Sequence, residues 1–163
     1  MYDIAIIGGG PGGYVAAEKA GKNGLKTVLF EKKDLGGVCL NEGCIPTKTL
    51  LNCAKHYRYA VESAGLGVTV EGAKLDHAKV VERKNKVVKT LVSGIGAKMK
   101  GAGVTVVPAT AVITGKTADG FTVKSGVRTF EAAAWLRRQG ADPTEVRRFF
   151  QEDRESFTIK SRA

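Results

Sequence analysis

Three glycines at positions 8, 10 and 13 constrain this chain more than any other feature. They follow the apolar run Ile4-Ala5-Ile6-Ile7 and open a stretch of small residues, 13–22, that ends near Asn23-Gly24. The apolar run predicts a buried strand, and the small-residue stretch predicts a helix. Residues 26–31 predict a second strand. Strand, glycine turn, helix and strand in this order make a βαβ unit, with parallel strands and a right-handed crossover. In such a turn the first glycine permits the tight bend, the second lets backbone approach a pyrophosphate, and the third lets the helix close on the sheet. The unpaired N–H groups at the helix start favour an anion. Glu31 ends the second strand, 18 residues past Gly13. A carboxylate there accepts hydrogen bonds from a ribose hydroxyl pair and disfavours a 2′-phosphate. The plainer alternative is a packing turn beside a solvated Glu31, but strand, helix and acid together favour dinucleotide binding.

The 163 residues suit one ordinary domain, and 43% hydrophobic composition supplies a core. Further along, residues 44–63 and 76–100 predict helices, the second with Val80, Val81, Val88, Leu91, Val92, Ile95 and Met99 on one face. Residues 104–107, 111–114 and 121–124 predict short strands, with Asp119-Gly120 as a turn. The expected fold class is therefore α/β: a partial Rossmann-like half-fold with a small β-meander. No apolar run approaches the roughly 18 residues of a membrane span, and no leader precedes the first strand, so a cytoplasmic protein is expected.

Three cysteines are too few for a disulfide scaffold. Two of them, Cys39 and Cys44, lie in Gly36-Gly37-Val38-Cys39-Leu40-Asn41-Glu42-Gly43-Cys44-Ile45-Pro46-Thr47-Lys48, at the start of the first long helix. At this spacing they can close a small disulfide, and the helix dipole lowers the thiol pKa of the nearer one. A dithiol so poised exchanges electrons with substrate thiols. Zinc competes, but its tetrahedral sites usually need four ligands, and beyond this pair only Cys53, His56 and His77 remain, at unsuitable spacing, so no metal is assigned. Cys53 reads as a small buried hydrophobe.

The segment Tyr2-Asp3-Ile4-Ala5-Ile6-Ile7-Gly8-Gly9-Gly10-Pro11-Gly12-Gly13-Tyr14, followed by Gly37 to Lys48 as written above, resembles the opening of dihydrolipoamide dehydrogenase, a flavin-dependent disulfide oxidoreductase. The likeness runs to about residue 125. It implies that FAD lies along the first Rossmann unit, held by Gly8, Gly10, Pro11, Gly13 and Glu31. It also implies that Cys39 is the interchange thiol meeting dihydrolipoamide and that Cys44 is the thiolate passing electrons to the flavin. Lys48 then lies near the flavin N5 edge, where its cation stabilises reduced flavin. Thr47 stands where the family often has Ser. In the full-length family NAD is the final acceptor, the partner is dihydrolipoamide or a lipoylated protein, and the enzyme is a homodimer. That enzyme also needs a second FAD segment with a Gly-Asp pair, an NAD-binding domain and a dimerisation domain carrying a His-Glu pair. None is read in these residues, so impaired activity is expected, and neither His56 nor His77 is assigned to catalysis.

A net charge of +10 raises nucleic acid as a partner. The excess is spread: residues 1–125 carry 18 basic and 10 acidic residues, and residues 126–163 carry 8 and 6. The type of base changes, however. Only Arg58 and Arg83 are arginine in the first part, and only Lys160 is lysine in the second. This points to two origins joined near residues 125–128: an incomplete FAD-binding domain over 1–125 and a segment of different origin over 126–163. In the latter, Thr129 is expected to cap a helix over 130–139 ended by Gly140, and Asp142-Pro143-Thr144-Glu145 to start another, giving a helical hairpin. The stretch from Gly126 to Pro143 resembles a helical segment of DHH-family cyclic-dinucleotide phosphodiesterases, without the Asp-His-His metal ligands, so that activity is not carried over. Lys84, Lys86, Lys89, Lys98 and Lys100 lack an accompanying aromatic platform, which favours a solvated face over nucleic acid. The paired arginines Arg137-Arg138 and Arg147-Arg148 likewise favour an amphipathic hairpin. The alternative function is a non-catalytic chimeric nucleotide-binding or interaction module.

Overall fold

The computed structural model describes residues 1–137. In chain order these form β1 (Tyr2–Ile7), α1 (Pro11–Lys22), β2 (Thr27–Phe30), α2 (Gly37–Asn41), α3 (Cys44–Glu62), a 3-10 turn (Ser63–Leu66), α4 (His77–Gly101), β3 (Thr105–Val107), β4 (Val112–Thr117), β5 (Gly120–Ser125) and β6 (Arg128–Arg137). Two units divide the chain. One combines Met1–Gly37 with the chain from Ile95 on, and the other is Val38–Gly94.

The first unit is built around β2, which is buried at every residue. A strand with no solvent face needs neighbours on both edges and cover on both faces. β1 and β3 supply the edges, both parallel to β2, with Ile4 opposite Thr27 and Ile7 opposite Phe30. The one polar residue of β2, Thr27, donates its hydroxyl to the Leu25 carbonyl at 2.9 Å, so its burial leaves no unpaired group. Ile4, Ala5 and Ile6 of β1 are buried beside it.

Small residues let α1 come close. Its buried face is Ala16, Ala17 and Ala20. A Cβ on Gly13 would stand 1.8 Å from the Gly8 carbonyl oxygen, and one on Gly21 would stand 2.2 Å from that of Ala102. The end of α4 adds Ile95 and Met99 to the core. Glu18 of α1 reaches Lys22 at 2.7 Å and Lys98 of α4 at 3.6 Å. The Lys22 hydrogen bond, above all, holds the Glu18 carboxyl below the usual carboxylate range.

The strand order is β3-β2-β1-β6-β5-β4. β3 thus joins the parallel sheet, and the meander is β4-β5-β6, antiparallel throughout. Here the structure departs from the expected helical hairpin. The segment expected as a helix over 130–139 is strand up to Arg137. Glu131-Ala132-Ala133-Ala134 has high helix propensity, but two strands offer it their edges: β5 pairs with it from Arg128 to Ala132, and β1 from Ala132 to Arg137. Tertiary pairing overrides a local preference of a few tenths of a kcal/mol per residue. Phe130 anchors the strand, meeting Phe30 edge-on with centroids 5.0 Å apart. The expected second helix, with Arg147-Arg148, lies outside the described residues.

The second unit holds α2, α3 and most of α4. Along α3 only Pro46 is buried. Among the described residues no helix is long and apolar enough to cross a membrane.

Met99 is fully buried in the first unit. Met99→Ala is expected to destabilise that unit by about 2–5 kcal/mol through the cavity it leaves, measured by urea unfolding followed by far-UV circular dichroism.

Candidate functional site

In the first unit the glycine turn has the geometry its spacing requires. Gly8 takes φ +108°, a conformation that disfavours any side chain, and its N–H donates to the Phe30 carbonyl at 2.8 Å. Gly10 caps α1 in an extended conformation with no side-chain hydrogen bond, and Pro11 follows at the first helical position. The first-turn amides of α1 therefore compete with no side-chain acceptor, which leaves a helix start suited to an anion.

Gly9, absent from the sequence motif, is the best-connected residue of the turn. Its N–H donates to Glu31 Oε2 at 2.7 Å, and its carbonyl accepts the Gly36 N–H at 2.8 Å. A Cβ here would stand 2.8 Å from Leu35 Cδ2 and 3.1 Å from Glu31 Cβ. The other Glu31 oxygen accepts the Lys33 N–H at 2.9 Å. An ionised carboxylate offers about four acceptor positions, so Glu31 is fixed in place and still has capacity for two hydroxyl donors. The only sequence signal for Gly9 was an uninterrupted triple glycine where the motif asks for two.

In the second unit the cysteine pair is set by the short link between α2 and α3. Cys39 lies on α2 and is half-buried, whereas Cys44 is the first residue of α3 and is exposed. Gly43 between them needs its bare Cα, because a Cβ would stand 2.9 Å from the Val38 carbonyl oxygen. The Glu42 N–H closes the same turn by donating to that carbonyl at 2.9 Å. The consequence is that the two thiols lie close enough for a side-chain hydrogen-bonding interaction of Cys44 with Cys39. That bond, followed by desolvation and the charge of Cys44, raises the Cys39 thiol above the ordinary range. The Cys44 backbone N–H, donating to the Cys39 sulfur, and the Lys48 cation oppose the rise. So the first amide of α3 acts on the sulfur of Cys39, where it works against the upward shift.

The structure thus gathers Gly8, Gly10, Pro11, Gly13 and Glu31 in one unit, and Cys39, Cys44 and Lys48 in the other. All three cysteines are free thiols, and Cys53 is half-buried. Among the described residues no three His, Cys, Asp or Glu side chains converge as a metal site would require.

Comparison with known proteins adds the decisive observation: the profile of the pyridine nucleotide-disulphide oxidoreductases matches residues 2–145. The chain belongs to that family. Among its relatives, the dihydrolipoyl dehydrogenase of Mycoplasma genitalium is 53% identical over 102 residues, covering 62% of this chain and 22% of the relative. That of Chlorobaculum parvum is 43% identical over 147 residues, covering 90% and 31%. LpdA of Mycobacterium tuberculosis, known from its crystal structure, superposes with a TM-score of 0.74 at 22% identity, over 84% of this chain and 31% of LpdA, a likeness of fold. The chain therefore spans about a fifth to a third of the length of these relatives. Pyridine nucleotide-disulphide oxidoreductases of this kind imply FAD and NAD. The uncapped start of α1, the bare Gly10 and the fixed Glu31 fit the pyrophosphate and ribose of FAD's ADP half.

Alkylation requires the thiolate, so Cys39 is expected to react with iodoacetamide only above the pH at which a free thiol does. Cys44→Ala removes the largest cause and should move the midpoint of the rate–pH profile down. Lys48→Met removes a cation and should move it up. Residue-resolved mass spectrometry reads both.

Proposed function

We propose that this chain is the FAD-binding, dithiol-handling part of a dihydrolipoyl dehydrogenase, which passes electrons from a dithiol through Cys39 and Cys44 to FAD and onward to NAD. The observation that carries the reading is the placement of Cys39 on α2 and of Cys44 at the head of α3, close enough for the two thiols to act on one another. When the pair is oxidised, one thiolate of dihydrolipoamide attacks the Cys39 sulfur and Cys44 leaves. The second substrate thiolate then closes the substrate disulfide and releases Cys39, so the substrate is oxidised and the protein pair reduced. FAD, when bound, supplies the acceptor for the pair's two electrons. Gly8, Gly10, Pro11, Gly13 and Glu31 bind its ADP half, and Lys48 contributes the cation that favours its reduced form. The dithiol is free dihydrolipoamide or that of a lipoylated protein, and the homodimer of the full-length family completes the site.

Exposure of the oxidised chain to dihydrolipoamide is expected to turn a Cys39–Cys44 bridge into two alkylatable thiols with Cys53 unaffected, read by peptide mapping. Bridging through Cys53, or the same conversion in Cys44→Ser, would overturn the reading.

NADH formation by the 163-residue chain under saturating FAD is expected to be at least about 10²–10⁴ below that of a full-length relative, because no His-Glu pair moves the proton. Turnover matching the full-length relative, lost in Cys44→Ser, would show that these residues rebuild the whole site.

A further inference from the structure

The second unit carries a concavity that takes no part in the dithiol chemistry. It is an open hollow of about 600 Å³ between α3, the segment after it and the first turns of α4. That volume lies within the range of small-molecule sites. Its walls are mainly apolar. Tyr57, Val70 and Leu75, which are 40%, 46% and 53% exposed, all line it, together with Val80. Single exposed apolar side chains are ordinary, but three converging on one hollow form a patch.

The polar part of the lining is of one sign. Lys74 and Arg83 reach the cavity, with His56 as a further polar group, and no carboxylate lines it. Of the neighbouring acids of the unit, Glu62 pairs with Arg58 at 3.4 Å and Asp76 with Lys79 at 3.7 Å, while Glu71 and Glu82 flank the lining residues in sequence without lining the hollow. Among the described residues, no ion pair holds Lys74 or Arg83. Two cations beside an apolar hollow, with no carboxylate among its lining residues, suit a ligand with one anionic end and an apolar body. A planar carboxylate matches the guanidinium fork of Arg83, whereas a bare phosphate would leave the apolar walls unused.

From this we infer that the hollow is a binding site for a small amphipathic carboxylate, with its head at Lys74 and Arg83 and its chain along Tyr57, Leu75 and Val80. The inference stands apart from the FAD and dithiol reading, since none of the residues assigned there lines the hollow.

Cys53 lines the cavity and reports on its occupancy. The full chain is titrated with sodium decanoate below its micellar concentration while alkylation of all three cysteines is followed by mass spectrometry. Saturable slowing of Cys53, at least about fivefold at saturation, with Cys39 and Cys44 unchanged, is the expected result. The Lys74→Gln/Arg83→Gln double variant should shift the midpoint about tenfold upward, the loss of about one charge-assisted hydrogen bond. Equal protection by decyltrimethylammonium, an unmoved midpoint in the double variant, or absence of saturation would each overturn the proposal. The comparison of decanoate with the cationic probe uses the unaltered chain, so it decides the matter even if the double variant fails to fold.

Discussion

The peptide groups of Gly9 hold the first unit's site together. One hydrogen bond ties the turn after β1 to the carboxylate that ends β2, and another ties it to Gly36, where the chain leaves for the cysteine segment. Both bonds bring the Gly9 backbone close to the side chains of Leu35 and Glu31, and a Cβ there would make both give way. The turn is therefore shaped before any ligand arrives, and the entropy of ordering it is spent in folding and does not weigh on binding. Glu31 has two duties as a result: it is an acceptor that builds the turn and an acceptor with capacity left over.

Much of this was legible in the residues. The spacing of Gly8, Gly10 and Gly13 between an apolar run and a small-residue stretch fixed strand, turn and helix together, because each glycine answers a steric demand of the next element. The long helices were legible from their periodicity. β6 was not. Its Ala-rich middle favours helix locally, and its strand identity comes from β1 and β5, whose places follow from residues more than a hundred positions away or across a turn. Gly9 escaped for a related reason: its importance rests on two partners, Glu31 and Gly36, that spacing alone does not reveal.

In the thiol pair, opposing local effects meet on one sulfur. The first amide of α3 reaches the sulfur of Cys39, and its lowering effect there is outweighed by the interaction with the Cys44 thiol and by desolvation. What results is a pair in which the Cys39 thiol is raised chiefly by its partner.

β6 belongs to two ladders at once, antiparallel to β5 up to Ala132 and parallel to β1 from there. Residues 2–7 thus gain their second neighbour only from residues 132–137. On a ribosome, where the chain emerges N-terminus first, β1 must wait with one edge bare until almost the last described residue has been made. Long-range pairing of this kind slows folding and leaves an unpaired strand edge available to other chains in the interval. The strand that completes the sheet thereby also sets the period during which the nascent protein is most exposed to aggregation.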